Sequence, residues 1–176
     1  ERRITSLAFT PDGRWLLSVS AANVVRAWPM SPGDEPRTLL QEGGNYRPVL
    51  AVHPSGQQAG VGLPRGRLGL IPLAGGPRRA LAGFSEQSGI GAVAFGDGGR
   101  LLAAAPRIGP REEKVVRIID LETGGTRVLG PLPGAGEGVA GSILGLSFAG
   151  AGRLLASVVG TGLVSVDLRD GSSRTV

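Results

Sequence analysis

The sequence predicts an all-β protein that is assembled from four similar units. Short apolar segments alternate with turn residues along almost the whole of the 176-residue chain, which is typical of antiparallel strands. One phrase recurs four times: an apolar residue, a turn rich in small and polar residues, and a second apolar segment. Its anchor residues are Phe9, Val52, Phe95 and Phe148, which are spaced 43, 43 and 53 residues apart.

A repeat of about 40–45 residues made of strand-like segments indicates a β-propeller, in which each unit is one four-stranded blade. We therefore predict one propeller segment of about four antiparallel blades, at residues 4–46, 47–88, 89–141 and 142–176. Four such blades would leave one apolar face open at each end, and open apolar faces favour association. We expect the segment to be part of a larger or oligomeric propeller.

The first unit shows how each blade is built. Strand a is predicted at residues 4–9 and ends at Thr10-Pro11-Asp12-Gly13. There proline presets φ, aspartate bonds to the local backbone and glycine accepts a positive φ. Strands b, c and d are predicted at residues 15–20, 24–28 and 37–40.

The other blades follow the same order of strands a to d. Their predicted strands are residues 48–52, 58–62, 67–72 and 78–81 in blade 2, 91–95, 101–105, 115–120 and 126–129 in blade 3, and 143–148, 154–159, 163–167 and 173–176 in blade 4. Gly60 and Gly62 are expected to weaken pairing of the second strand in blade 2. Consecutive apolar residues such as Leu101-Leu102-Ala103 fit strands that are buried on both faces, as between neighbouring blades.

The turn Phe9-x-Pro11-Asp12-Gly13-Arg14 and the third strand Val24-Val25-Arg26-Ala27-Trp28 resemble the repeats of the WD40 family. This resemblance implies a propeller that acts as a docking or sensor module. The Trp-Asp dipeptide and the Gly-His pair of the family are absent from the sequence, so its buried His–Asp–Ser/Thr–Trp network is not expected. TolB-like propellers, which also carry Pro-Asp-Gly turns, are the alternative within the same fold.

Composition narrows the function classes. The formal net charge is +5, and Lys114 is the only lysine, so the positive charge is almost all arginine. Such a balance permits contact with nucleic acid or with an acidic protein surface, but the arginines are scattered and form no basic stripe. Cysteine is absent, which leaves no disulfide or thiolate chemistry.

The sequence contains no apolar segment long enough to cross a bilayer. It also shows no basic and apolar leader, and it starts without Met. We expect a slice of a longer cytoplasmic protein that has no membrane partner.

Three sequence features could carry chemistry, and a structural role is the favoured interpretation of each. Residues 136–141 match the phosphate-binding G-x-G-x-x-G pattern, but a predicted strand follows where that pattern needs a helix. His53 is the single histidine and lies in a turn, and the carboxylate pairs Asp34-Glu35 and Glu112-Glu113 lie in loops. We predict no catalytic residue, no cofactor site and no metal site.

Two differences in length predict a binding face. The first is in the distance from the residue that ends the a–b turn to the end of the third strand. The distance is 14 residues in blade 1 (Arg14 to Trp28) and in blade 2 (Gln57 to Ile71), and 19 residues in blade 3 (Arg100 to Ile119). From Trp28, Ile71 and Ile119 to the anchor residue of the next blade, the distances are 24, 24 and 29 residues. We assign the additions to the b–c loop at residues 106–113 and to the d–a loop at residues 131–141. Loop length also drifts at little energetic cost, but both loops emerge at one end of a four-stranded meander, which favours a binding face there.

The predicted face consists of charged, polar and aromatic loop residues. They are Arg107, Arg111, Glu112, Glu113 and Glu137 in the additions, with Asn45, Tyr46, Arg47 and Arg65 in neighbouring loops. Tyr46 is the expected aromatic anchor.

The sequence thus predicts a non-catalytic protein-interaction scaffold or sensor module of a longer regulatory protein. We expect it to bind a protein partner, and to associate with itself or with further blades of its parent chain through its end blades. One alternative is a propeller enzyme or small-molecule binder that uses the central channel. The other is binding of a nucleic-acid backbone by the arginines, which would show a steep salt dependence.

Overall fold

The computed structural model describes residues 3–43, 48–134, 139–150 and 152–176. Within these residues the chain forms sixteen strands and two 3-10 helices, at Asp97–Gly99 and Arg111–Glu113. The strands make four separate four-stranded antiparallel sheets. The predicted all-β class is confirmed.

Each sheet takes four strands that are consecutive in the chain and correspond to strands a, b, c and d. Blade 1 contains β1 (Ile4–Phe9), β2 (Trp15–Ser20), β3 (Val24–Pro29) and β4 (Arg37–Gln41). Blade 2 contains β5 (Val49–Val52), β6 (Gln58–Gly62), β7 (Leu68–Pro72) and β8 (Arg79–Leu81). Blade 3 contains β9 (Gly89–Gly96), β10 (Leu101–Ile108), β11 (Val116–Asp120) and β12 (Thr126–Leu129). Blade 4 contains β13 (Ile143–Phe148), β14 (Arg153–Val158), β15 (Gly162–Asp167) and β16 (Ser173–Thr175).

The a–b turns close through local hydrogen bonds. In blade 1 the Thr10 hydroxyl donates to the Asp12 carboxylate at 2.5 Å, and the same carboxylate accepts the Arg14 N–H at 3.0 Å. The bonds from Thr10 and Arg14 hold the pKa of Asp12 below its ordinary value. In blade 2 His53 takes the place of Thr10, and its Nδ1 accepts the Ser55 N–H at 3.0 Å. His53 is therefore a turn residue, as predicted.

The blades pack side by side in chain order, with β1 against β5, β5 against β9 and β9 against β13. An apolar cluster fills each of the three seams between neighbouring blades. Leu102 and Ile119 of blade 3 point into the seam with blade 2, whereas Ala103 and Val116 point into the seam with blade 4. The strands are thus buried on both faces, and the four sheets do not close into a ring.

Glycines in β6 serve the packing of blade 2 on blade 3. Every residue of β6 nevertheless pairs with β7. A Cβ added at Gly62 would lie 2.8 Å from the side chain of Ile90, and one at Gly60 would lie 3.1 Å from Leu102. The side chains of blade 3 therefore occupy the space that the glycines leave.

The additional residues of blade 3 lie partly inside the sheet. The b–c loop was expected to begin at Pro106, but β10 continues to Ile108, paired with an equally long β9. The pairing is irregular on both sides of Pro106, since proline has no N–H to donate to the ladder. Arg107 consequently lies in a strand, and only residues 109–115 form the loop.

We expect Gly62→Ala to lower the free energy of unfolding by about 1–3 kcal/mol, because the added methyl group would overpack the seam with blade 3. Chemical denaturation of the variant and the wild type measures the change. Gly152→Ala is the matched control, since its added Cβ would meet nothing within 4 Å. Equal losses in the two variants would contradict the packing role of Gly62.

Candidate partner-binding face

The b–c and d–a loops emerge at the same end of the propeller, because each blade is a meander of four antiparallel strands. We call this end the loop face. Its described b–c loops are residues 21–23, 63–67, 109–115 and 159–161, and its described d–a loop residues are 42–43, 48, 82–88, 130–134 and 139–142.

Glu113 ties the b–c loop of blade 3 to the preceding d–a loop. Its carboxylate accepts the Ser85 N–H at 3.2 Å, the Ser85 hydroxyl at 2.9 Å and the Ser88 hydroxyl. Burial acts to raise the pKa of Glu113, but the hydrogen bonds from Ser88 and Ser85 outweigh it and the pKa lies below its ordinary value. Glu113 therefore connects two neighbouring loops of the loop face.

The two additions meet at the backbone carbonyl of Arg107. This oxygen accepts hydrogen bonds from the Lys114 ammonium at 3.2 Å and from the Ser142 hydroxyl. Ser142 also donates to the Val139 carbonyl at 2.6 Å. Lys114 is fully buried, and burial lowers the pKa of its ammonium group. The b–c loop of blade 3 and the d–a loop before blade 4 are thus held side by side, as the sequence predicts.

A cleft of about 350 Å³ opens where the a strands begin. All four blades line it, through Arg3, Ile4, Thr5, Pro48, Val49, Gly91, Arg107 and Leu144. The Thr5 hydroxyl donates to the carbonyls of Val19 and Pro48 at 3.1 and 3.0 Å, which joins blade 1 to blade 2 at the cleft wall. A Cβ at Gly91 would lie 2.3 Å from the Ile143 carbonyl, so glycine permits this close approach of blades 3 and 4.

The cleft is electropositive. Among the described residues, neither Arg3 nor Arg107 forms an ion pair. Arg65 and Arg111 are exposed on neighbouring b–c loops of the same face, and Arg65 has a φ of +58°, which is uncommon for a residue with a side chain. None of these four guanidinium groups forms an ion pair with a described residue.

Two acidic groups of the region are already engaged. Glu42 pairs with Arg67 at 2.5 Å and with Arg78. Burial acts to raise the pKa of Glu42, but the bonds from Arg78 and Arg67 lower it overall. The Glu113 carboxylate is also engaged, since it accepts hydrogen bonds from two serines. Glu112 is the predicted acidic residue that remains exposed on the described b–c loop of blade 3.

The sequence identified only part of this site. Arg65, Arg107, Arg111, Glu112 and Glu113 lie on or beside the loop face, whereas Asn45, Tyr46, Arg47, Glu137 and residues 136–138 of the G-x-G-x-x-G match lie outside the described residues. Arg3, Thr5 and Gly91 line the cleft and were missed. Arg3 lies just before an a strand, and Thr5 and Gly91 lie within the first three residues of one.

Other chemistry finds little support elsewhere in the described chain. No three histidine or acidic side chains there lie close enough to hold a metal ion. No helix of the described residues is long and apolar enough to span a membrane. The His53 ring contacts Phe95 edge to face with centroids 4.9 Å apart, and its Nε2 lies 3.2 Å from the Gly99 carbonyl, so it links the turns of blades 2 and 3.

Comparison with known proteins gives the fold and the repeat type. Residues 1–29 match the family described as WD40: WD domain, G-beta repeat. The structure superposes on the beta-propeller domain of Myceliophteria thermophila Cps50 (Swd1) with a TM-score of 0.72 and 19% sequence identity. The chain is a β-propeller segment, and its first 29 residues match the WD40 repeat model. The structural match covers 96% of this chain and 53% of the Cps50 chain, so the segment spans about half of the length of the matched structure. No curated protein sequence matches it.

We expect Glu113→Gln to lower the free energy of unfolding of the segment by about 1–3 kcal/mol at pH 7, because an amide replaces the charged acceptor of three hydrogen bonds. The pKa of Glu113 is lowered in the folded state, so its contribution is full above the ordinary glutamate pKa of about 4.3 and is lost as the pH falls through the folded-state value. Urea denaturation at pH 7 and below pH 4 measures this loss.

The control for Glu113 is Glu112→Gln in the same loop, since Glu112 is exposed. Its stability should match that of the wild type at both pH values. A constant deficit of the Glu113→Gln variant across the pH range would contradict the role assigned to the charged carboxylate.

Proposed function

We propose that this segment is a non-catalytic protein-interaction scaffold of a longer regulatory protein, and that its loop face binds an acidic segment of a protein partner. The observation that carries the proposal is the cleft at the start of the a strands, into which Arg3 and Arg107 bring two guanidinium groups without ionic partners among the described residues. Protein-interaction scaffolding is the general role of WD40 propellers, which supports this assignment.

Shape and rigidity favour an extended peptide as the ligand. A cleft of about 350 Å³ accommodates one or two side chains and is too small for a folded domain. The walls are held by the Thr5 bonds between blades 1 and 2 and by the Lys114 and Ser142 bonds at Arg107. Arginine pairs with a carboxylate through two parallel hydrogen bonds, and Arg65 and Arg111 on the rim would attract an acidic chain at longer range.

The cleft lining argues against the enzyme alternative. The described residues of the lining contribute the side chains of Arg, Ile, Thr, Pro, Val and Leu, and among these described residues there is no histidine, carboxylate or cysteine to act as a general base at neutral pH. Nucleic-acid binding is also less favoured, since four dispersed guanidinium groups around one cleft make no continuous track for a phosphate backbone.

We expect Arg107→Gln to weaken binding of a fluorescein-labelled peptide of alternating Asp and Glu by about tenfold or more, because a desolvated charge pair would be lost. Fluorescence anisotropy gives the dissociation constant. The control variant is Arg14→Gln, which removes the same charge from an exposed a–b turn at the opposite end, and the control probe is the corresponding Asn and Gln peptide.

We expect the acidic peptide to bind more tightly than the neutral one. Of the two variants, only Arg107→Gln should weaken binding of the acidic peptide. Equal losses of affinity in Arg107→Gln and Arg14→Gln would show that only net charge matters, and would contradict binding at the cleft. Tighter binding of single-stranded DNA than of the acidic peptide, with a steep dependence on salt, would instead favour the nucleic-acid alternative.

A further inference from the structure

The outer part of each seam, at the end opposite the loop face, is enclosed by four equivalent positions. They are the first residue of strand b, the residue two places before the end of strand c, an arginine of strand d, and the residue directly after strand c of the next blade. The strand register matches these positions from seam to seam. We call the space between them the wedge of that seam. The four residues are Trp15, Ala27, Arg37 and Leu73 in the first seam, Gln58, Leu70, Arg79 and Leu121 in the second, and Leu101, Ile118, Arg127 and Leu168 in the third.

A tryptophan ring occupies the wedge between blades 1 and 2. The Trp15 side chain packs on the apolar cluster that contains Ala27 and Leu73. The Arg37 guanidinium lies over the ring, 4.8 Å from its centroid, which is the geometry of a cation–π contact. The first seam therefore shows that a wedge accommodates a flat aromatic ring between apolar side chains and an arginine.

The wedge between blades 3 and 4 is an open cavity. Strand b of blade 3 begins with Leu101, which is smaller than tryptophan, and a volume of about 350 Å³ remains between the two sheets. The lining consists of Leu101, Ile118, Leu129 and Leu168, together with Asp120, Gly125, Thr126 and Arg127. The four apolar residues belong to, or pack on, the cluster of this seam. The third wedge thus has apolar walls like those of the first, with space where the first wedge holds the Trp15 ring.

Arg127 is fixed at the wall of this cavity by blade 4. It donates hydrogen bonds to the carbonyls of Leu168 and Arg169, the latter at 2.8 Å. The N–H groups of a guanidinium lie in its plane, so its flat faces remain able to stack on an aromatic ring. The positive charge complements the electron-rich face of such a ring, and an aliphatic side chain offers no equivalent. Arg127 can therefore cover a ring as Arg37 covers Trp15.

The carboxylate of Asp120 in the same lining is engaged by its own turn. It accepts the Glu122 N–H at 3.0 Å and the Thr123 N–H at 2.9 Å. The bonds from Thr123 and Glu122 hold the pKa of Asp120 below its ordinary value. The apolar residues and Arg127 therefore determine which ligand fits the cavity.

The wedge between blades 2 and 3 has a different chemistry. Strand b of blade 2 begins with Gln58, and the cavity of about 470 Å³ there is also lined by His53, Asp97, Arg100 and Glu122. Polar groups that lose water without gaining a hydrogen bond cost free energy, so these walls disfavour an aromatic ring. Of these two open wedges, the one between blades 3 and 4 is suited to an aromatic ligand.

A sheet edge beside the cavity favours a protein segment as the source of the ring. β12 is the outer strand of its sheet, and its outer edge pairs with no described strand. Such an edge can pair with an extended segment of another protein, whose main chain supplies affinity while alternate side chains enter pockets. Thr126 and Arg127 belong to β12 and line the cavity, so a segment added to β12 would carry side chains next to it.

We propose that the wedge between blades 3 and 4 binds an aromatic side chain from an extended segment of a protein partner, in the place that the Trp15 ring has between blades 1 and 2. Both walls consist of described residues of adjacent blades, so the site does not depend on which blades precede or follow the segment. It lies at the opposite end from the cleft of Arg3 and Arg107 and is independent of the acidic-peptide site.

Titration of the ¹⁵N-labelled chain with capped pentapeptides, followed by NMR, tests the site. The probe is Thr-Thr-Trp-Thr-Thr, and the control peptides carry Leu or Ala in place of Trp. The amide signals of residues 125–129 and of Leu168 should shift with the Trp peptide. We expect this peptide to bind at least about fivefold more tightly than the Leu peptide, because the leucine side chain cannot make the cation–π contact, and more tightly still than the Ala peptide.

Leu101→Trp supplies the ring from within the chain. Its indole should occupy the wedge as Trp15 does in the first seam, and should weaken binding of the Trp peptide by about tenfold or more, because bound peptide and indole would compete for one cavity. Gln58→Trp is the matched control, since it places the same side chain at the equivalent position of the neighbouring seam. Its affinity for the peptide should equal that of the wild type, and circular dichroism checks that both variants fold.

Three results would overturn the proposal. Equal affinity of the wild type for the Trp and Leu peptides would show that the wedge does not select an aromatic ring. Equal affinities of the Leu101→Trp and Gln58→Trp variants would show that the peptide binds elsewhere. Binding of N-acetyltryptophanamide as tight as that of the Trp peptide would assign the cavity to a small aromatic molecule instead of a protein segment.

Discussion

A blade that is apolar on both sides is stable only between two neighbours, and the rest of this structure depends on that constraint. Within blade 3 the two sides of one sheet enter different clusters, with Leu102 facing blade 2 and Ala103 facing blade 4, and both are fully buried. Apolar burial of this kind has no preferred direction, so residue size decides how closely neighbouring sheets approach. Glycine in β6 and alanine in β10 leave the space that larger residues of the next blade fill.

The seams also determine the loop face. Because the a strands of successive blades pack against one another, their first residues converge at one end and enclose the cleft between Arg3 and Arg107. A few polar contacts then suffice to order the longer loops. Glu113 and Ser142 each join a loop to its neighbour, while Lys114 is buried beneath them. The cleft is therefore a consequence of blade packing, with loop residues that supply its charge.

The arginines show why sequence reasoning recovered only part of the site. In the sequence they look scattered. Of the recurrent ones, Arg14 and Arg100 lie in the a–b turns, and Arg153 is the first residue of β14. The pairing of the strands reveals a second recurrent set of arginines, on the d strands. Two of them, Arg79 and Arg127, donate hydrogen bonds to the next blade. Variation in loop length moves such residues along the sequence without moving them in the sheet, so their equivalence appears only when the register is known. Arg3 and Gly91 were missed for a related reason, since they meet across blades that are far apart in the sequence.

The sequence by itself determined the all-β class, the number of blades and the position of each turn, because strand periodicity and turn chemistry are local properties. It also located the two additions to blade 3, from the spacing of the anchors alone. The tertiary structure decided that part of one addition prolongs β10, that Glu113 is an internal tether and that Arg107 faces a cleft shared by four blades. These outcomes depend on which sheets lie side by side. Contacts between residues tens of positions apart are set by packing, which the local pattern does not encode.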